Sequence, residues 1–365
     1  MNYQQIDDLF DRLWPICRSI TGPGISQSLE VMQDYIPITI KEVPTGTEVF
    51  DWIVPQEWEL ERATLRTEDG EVILDTDISN IHVLNFSEPF SGVVTYQELE
   101  EHLYSDSSFP EAVPYVTSYY VPRWGLCISD KQRKSLRTDI NYVVDIKTKK
   151  FDGFLRYGEY FLQGETTETI LLTTYLCHPS LANNELSGPL ALAAIYDKLK
   201  NQKNRKFSYR FVIIPETIGS ISFLAQSLPK ALSDIAAGIV LTCLGGPSDK
   251  VSFKHSRKHW IGEDSLIDSV IEKVCDKDRS FYESRKFSPT GGSDERQFCS
   301  PAINLPVVQA ARTVYGQYDE YHTNLDDKDF MRISSVIDSV EKIYLFLKIF
   351  ELESSCLRST VKGGE

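Results

Sequence analysis

Apolar positions follow two different rhythms along this chain. Over residues 4–18, Ile6, Leu9, Phe10, Leu13 and Trp14 recur at intervals of three and four, which predicts an amphipathic helix. A second helix is predicted over 25–35, ended near Pro37, with the Gly/Pro-rich stretch 19–24 as a connector. From residue 38 to about 156 helical periods nearly vanish. Short runs rich in Val, Thr and Tyr take their place, separated by Gly and Pro, as at 39–43, 49–54, 93–96, 115–120 and 141–146. From residue 168 onward, strand-length apolar runs at 170–176, 209–214, 237–244, 251–254 and 303–309 are interleaved with helical patterns. The helices fall at 188–200, 218–227, 266–275 and from 327 to about 353. Strands alternating with helices predict an α/β fold, a mostly parallel sheet sandwiched by helices. The expected division is a discontinuous α/β domain over 1–40 and 150–360, an inserted mostly-β subdomain over 41–149, and a frayed tail over 361–365.

Composition narrows the functional classes. A net charge of -15 argues against a nucleic-acid partner, because phosphate recognition needs a basic surface. No window approaches the length of apolar chain needed to span a membrane. Acidic residues stand at the N-terminus where a signal peptide would be basic. Seven cysteines are scattered without any CxxC spacing, which suits a reducing, cytoplasmic setting.

The candidate chemistry sits at predicted strand ends. Ligands in open α/β sheets bind just past the carboxyl ends of strands. The 170–176 run is followed by Cys177 and His178, then by Asn183, Asn184 and Glu185 before Ser187-Gly188 open a helix. Glu216 follows the 209–214 run, Ser293, Asp294 and Glu295 precede the 303–309 run, and Glu320, His322 and Asp326 lie in a late acidic loop. Taken singly, these read as a capped histidine, a carboxylate at a helix start, a turn, and an N-cap for the last helix at Asp326. Together they form the inventory of a zinc hydrolase: histidine and carboxylate ligands and a carboxylate base. Cys177 and His178 are adjacent in an extended stretch, so their side chains point apart and form no dyad. Cys177 with His322 is the rival nucleophilic pair. Arg123 and Trp124, at the end of an aromatic-rich segment, are candidates to cover a substrate pocket or to pack within the β region.

The order of these motifs resembles the co-catalytic zinc aminopeptidases, with the bacterial leucyl aminopeptidase and glutamate carboxypeptidase architecture. The segments SITGPG, TGTEVFDW, CHPSLANNELSGP, IPETIGSI, TGGSDERQF and YHTNLDD resemble, more closely, aminopeptidase-like proteins encoded in bacterial polysaccharide biosynthesis and surface-glycan clusters. The resemblance covers nearly the whole chain. It implies that His178 and His322 are metal ligands, that Asn184 stands at the metal-bridging aspartate position, that Glu216 is the general base, and that Asp294 lies near the substrate. It also marks departures. Asn184 is a neutral carboxamide, Thr217 replaces a glutamate after the base, and residues 241–244 offer no carboxylate for the late aspartate ligand. Two zinc ions would lack balancing anions. The expectation is one zinc ion per chain on His178, His322 and one oxygen from Asn184, Glu185 or Glu320. The last would face the same way as His322 if that segment were extended. The substrate would be a small peptide or an aminoacyl amide, its amine met by Asp294, Glu295 or Glu320. The alternatives are a catalytically silent scaffold on a peptidase fold, or an amidase acting on a glycan precursor.

Overall fold

The structure, a computed structural model, describes residues 1–227 and 232–362, with side chains through residue 355. Eight strands form one sheet in the order Thr39–Pro44, Phe154–Leu162, Ser208–Ile214, Thr169–Tyr175, Ile235–Leu241, Val307–Ala311, Val251–Lys254 and Tyr282–Arg285. The four central strands from Ser208–Ile214 to Val307–Ala311 pair in parallel, as do the last two. The other three pairings are antiparallel. The sheet is therefore mostly parallel, as expected, with a parallel centre and antiparallel pairings on both sides. The short polar strand Tyr282–Arg285, with one buried position, gives no apolar run from which to predict it. The strand expected at 303–309 begins only at Val307, because Ile303 and Asn304 turn back onto the Ser300 carbonyl.

Side chains of the central strands alternate between two cores, as the period of two requires. Ile170, Leu172, Phe211, Ile213, Ile239 and Leu241 face helices Tyr3–Leu13, Pro23–Gln33, Ser187–Lys200, Leu266–Lys277 and Ile333–Lys362. Leu171, Val212 and Val240 face the helix Ile218–Ser227 and the inserted β region. Burial on both faces explains why Thr169–Tyr175 reads as a continuous apolar run, every position being buried.

A four-stranded antiparallel sheet lies within the inserted region, in the order Val72–Asp75, Glu57–Thr67, Asn141–Phe151, Phe90–Thr95. Its core residues Leu65, Val94, Tyr142 and Val144 are continuous with Leu171 and Val212 of the large sheet, so the two sheets share one core. Thr39–Pro44, which crosses the boundary expected between residues 40 and 41, pairs in the large sheet. The aromatic run 115–120 is not a strand. It is held by single bridges, Asn85 with Thr117 and Pro114 with Thr323, which lay it across the strand ends. Of the tail expected to fray, Lys362 still closes the last helix, and 363–365 lie outside the described residues.

Candidate metal and catalytic site

His178 leaves the end of the strand Thr169–Tyr175 and is nine-tenths or more buried. The chain then winds through one π-helical turn, Ala182–Leu186, before the long helix Ser187–Lys200. That turn brings Glu185 back onto His178, with Glu185 Oε2 2.6 Å from Nδ1. Two features hold the turn. The Asp326 carboxylate accepts the backbone N–H groups of Asn183 and Asn184 at 2.6 and 2.9 Å. Gly188 lets the helix approach the sheet, since a Cβ there would stand 2.5 Å from the Leu241 carbonyl oxygen. Asp326 thus caps this turn and not the last helix, which begins only at Ile333. Its burial pushes the carboxyl up to about 7 despite those two hydrogen bonds.

Arg18 closes the site from behind. It is fully buried, donates from Nε to the His178 carbonyl oxygen at 2.9 Å, and donates from Nη1 to the Leu13 carbonyl oxygen at 2.7 Å. Its Nε lies 3.7 Å from Glu185 Oε1. Arg18, Glu185 and His178 therefore form one buried charged string. Arg18 precedes the stretch read as a plain connector, and its length and charge gave no sign that it would turn inward.

Glu216 approaches from the end of the neighbouring strand Ser208–Ile214. The Ser293 hydroxyl donates to Glu216 Oε1 at 2.6 Å, while Oε2 stands 3.8 Å from His178 Nε2. Desolvation in the cleft raises the Glu216 carboxyl, and His178 and the Ser293 hydrogen bond work against that rise. Burial works against a charge on His178, but Cys177 and Glu185 outweigh it and hold the imidazole well above its ordinary value. His322 goes the other way, down to about 3, because it is buried and faces His178. Burial pushes the Cys177 thiol up to about 11, which makes it a poor nucleophile at neutral pH.

His178 and His322 flank one aromatic ring. Tyr115 meets both edge-to-face, at centroid distances of 5.1 and 5.3 Å, and its N–H donates to the His322 carbonyl oxygen at 2.7 Å. The Tyr115 and Tyr119 hydroxyls are 2.7 Å apart. These tyrosines, not Arg123 and Trp124, bring the inserted region onto the histidines. Trp124 is stacked between Phe90 and His102. Arg123 lies over Tyr104 and bonds Ser118 and Thr117. The aromatic-rich segment was a visible signal; which of its rings turns inward was not.

The donor set fits a single zinc ion. Glu185 on Nδ1 leaves His178 Nε2 as the outward nitrogen, the usual carboxylate–histidine–metal arrangement. The rings of His178 and His322 are 5.4 Å apart. Two imidazoles on one tetrahedral zinc, with Zn–N of about 2.0–2.1 Å, stand about 5 Å apart by centroid. Asn184 donates its Nδ2 to the Tyr175 hydroxyl at 3.0 Å, and its buried Oδ1 has no hydrogen-bond partner among the described residues. Beyond Asn184 the neighbours are neutral: Tyr175, Thr242 and Cys243. The Asn184 carboxamide itself brings no counter-charge for a second divalent ion.

The remaining sequence candidates sit differently from expectation. Glu185 faces Nδ1 and Arg18, which orients His178 and does not place a third oxygen beside Nε2. Glu320 and His322 lie in successive turns, with Thr323 N–H on the Glu320 carbonyl and His322 at φ 56°, so the extended geometry that would align them is absent. Asp294 is fully buried and accepts the Thr217 N–H at 2.7 Å and the Ser220 hydroxyl at 2.8 Å. Burial and Glu216 raise it well above the carboxylate range, a poor state for meeting an ammonium group. Glu295 is paired with Lys254 at 2.8 Å and Gln309 at 2.9 Å. Among the described residues, two groups of three potential metal donors lie within 4.8 Å of one another: Cys177, His178 and Glu185, and separately His255, His259 and Glu272.

Residues 7–353 match the model of a domain of unknown function, DUF4910. A Clostridium acetobutylicum protein named "Putative polysaccharide biosynthesis protein with aminopeptidase-like domain" is 41% identical over 351 residues, covering 96% of this chain and 78% of its own. A crystal structure of a "putative peptidase" from the same species superposes with a TM-score of 0.90 at 39% identity, over 96% of this chain and 80% of that one. A zinc aminopeptidase from Bacillus subtilis superposes with a TM-score of 0.64 at 12% identity, over 94% and 93% of the two chains, a likeness of fold. The match over nearly the full length and the close relative establish that this chain belongs to the DUF4910 family, built on the zinc-aminopeptidase fold.

Proposed function

We propose that this chain is a metal-dependent hydrolase of an amide or peptide bond that uses one zinc ion. The observation that carries the reading is the 3.8 Å approach of His178 Nε2 to Glu216 Oε2, each group fixed from its far side by Glu185 and Ser293. His178 and His322 would hold the ion, with Asn184 Oδ1 as a further oxygen. A bound zinc would supply Lewis acidity to polarise the scissile carbonyl and to favour deprotonation of the attacking water. Glu216 Oε2 takes that proton and afterwards delivers it to the leaving amine, while Ser293 keeps Oε1 out of the exchange. Desolvation of Glu216 strengthens it as a base. Tyr115 and Tyr119 cover the histidines and exclude water from that side. The name of the C. acetobutylicum relative supports an amide-bearing intermediate of glycan assembly as the substrate. The free cysteines among the described residues support a reducing, cytoplasmic setting.

The neutral pocket around Asn184 and the buried, committed carboxylates Asp294 and Glu295 favour one other reading, a silent scaffold. One experiment separates the two. Zinc-loaded protein is assayed against a panel of aminoacyl and acetyl-aminosugar amides, beside Glu216→Gln. A hydrolase loses at least a hundredfold in turnover with its zinc retained. Turnover by Glu216→Gln at the native rate removes Glu216 from the base role, and absence of turnover on every amide supports the scaffold.

A further inference from the structure

We infer that Lys254 and Gln309 are positioning residues for Glu216, acting through Glu295 and Ser293; the inference rests on the reading of Glu216 as the base. Lys254 closes the strand Val251–Lys254, every position of which is buried. It stands opposite Gln309 in the register with the strand Val307–Ala311. Both side chains reach Glu295. Lys254 Nζ donates to Oε1 at 2.8 Å, and Gln309 Nε2 donates to Oε2 at 2.9 Å. Arg285, at the end of the next strand, donates to Gln309 Oε1 at 3.0 Å, which leaves the amide nitrogen for Glu295.

The grip passes from Glu295 to the loop before it. The Ser293 N–H lies 3.2 and 3.0 Å from the two Glu295 oxygens. Lys254 also donates to the Gly291 carbonyl oxygen. Between those two points the chain needs glycine, because a Cβ on Gly292 would stand 2.5 Å from Lys254 Nζ. Three successive residues are thus seated on one buried ion pair. The last of them, Ser293, donates its hydroxyl to Glu216 Oε1 at 2.6 Å. The next residue, Asp294, accepts the Thr217 N–H at 2.7 Å and the Ser220 hydroxyl at 2.8 Å, so the same short segment holds the chain just after Glu216. Replacing a buried ion pair by apolar residues of similar size is often neutral for stability or better. Stability alone therefore gives no reason for Lys254 and Glu295 here, whereas a fixed Glu216 does.

The test pairs kinetics with crystallography. Lys254→Met alone would strand the Glu295 charge, so it is combined with Glu295→Met, which should leave the melting temperature close to the native one. On the amide that the zinc-loaded protein hydrolyses fastest, kcat of this double variant should fall roughly tenfold or more, with KM unchanged. Adding Ser293→Ala should cost nothing further, because the bond it removes is already lost; a pair that served only the fold would give independent losses. The crystal structure of the double variant should show the Ser293 hydroxyl beyond hydrogen-bond reach of Glu216 Oε1, more than about 3.5 Å away, with Glu185 still on His178. A hydroxyl still bonded to Glu216, or a native kcat, overturns the inference. Should the double variant not fold, Gln309→Met, which leaves the ion pair whole and frees Oε2, carries the same two readouts with the same opposing outcomes. If the native protein hydrolyses no amide, the hydrolase reading fails, and the crystal comparison by itself decides whether Lys254 and Gln309 position Glu216.

Discussion

Glu185 bonds His178 from seven residues further along the chain, 2.6 Å from Nδ1, because a single π-helical turn reverses the backbone between them. The pair decides which nitrogen of His178 faces the cleft. It is itself anchored by Arg18, whose guanidinium has no exposed surface. Everything proposed for the site depends on this buried string staying in place.

Removing the anchor should therefore unfold more than it disarms. Arg18→Met leaves Glu185 buried without its cation and the His178 carbonyl without its donor. Breaking a buried pair in this way costs about 3–5 kcal/mol. A urea melt of the variant should show that loss, and a midpoint equal to the native one would show that Arg18 carries no structural weight.

Ser293 should tune Glu216 without touching substrate. Its hydroxyl bond lowers a carboxyl that burial raises, so Ser293→Ala should raise that carboxyl further. A base with a higher pKa becomes active only at higher pH. The acid limb of kcat/KM against pH should move upward in the variant, with a smaller maximum, and Ser293→Thr should restore it. An unmoved limb would make Ser293 a packing residue only.

Acid stability has a separate origin. Burial opposes the ionised form of Asp338, but Lys342, 2.7 Å away, and Arg312 outweigh it and hold the carboxyl below its usual value. Arg312 in turn donates to the Gly246 carbonyl oxygen at 3.1 Å, beside the strand end that carries Cys243. A carboxylate depressed on folding stabilises fully above its unfolded pKa, about 3.9, and that contribution is lost as pH falls through the lower folded value. Asp338→Asn should be less stable than the native chain at neutral pH, and the gap should narrow below about pH 4. A constant gap across that range would contradict the assignment.

Much of this was legible in the residues. The continuous apolar run ending at Cys177-His178 placed a histidine at a central strand end, and the same logic placed Glu216 on the next strand. What the pattern could not carry was the direction of side chains in irregular segments. Glu185 reads as a ligand by type, and only the π turn shows that its Oε2 lies against His178 Nδ1. Glu320 aligns with His322 if the chain is extended, and the chain there is a succession of turns. Asp326 reads as the cap of the helix after it, yet it caps a turn 142 residues earlier. Arg18 and Tyr115 act through tertiary contacts that leave no periodicity. Tyr282–Arg285 was missed because one buried position makes no pattern.

The central claim is that His178 and His322 hold one zinc opposite Glu216. Anomalous diffraction at the zinc edge, from crystals grown with zinc, tests it most directly. The account predicts one peak about 2.0–2.1 Å from His178 Nε2 and from a His322 ring nitrogen, absent in His178→Ala crystals. Crystals with no zinc at these two histidines, or two peaks between His178 and Asn184, would contradict it.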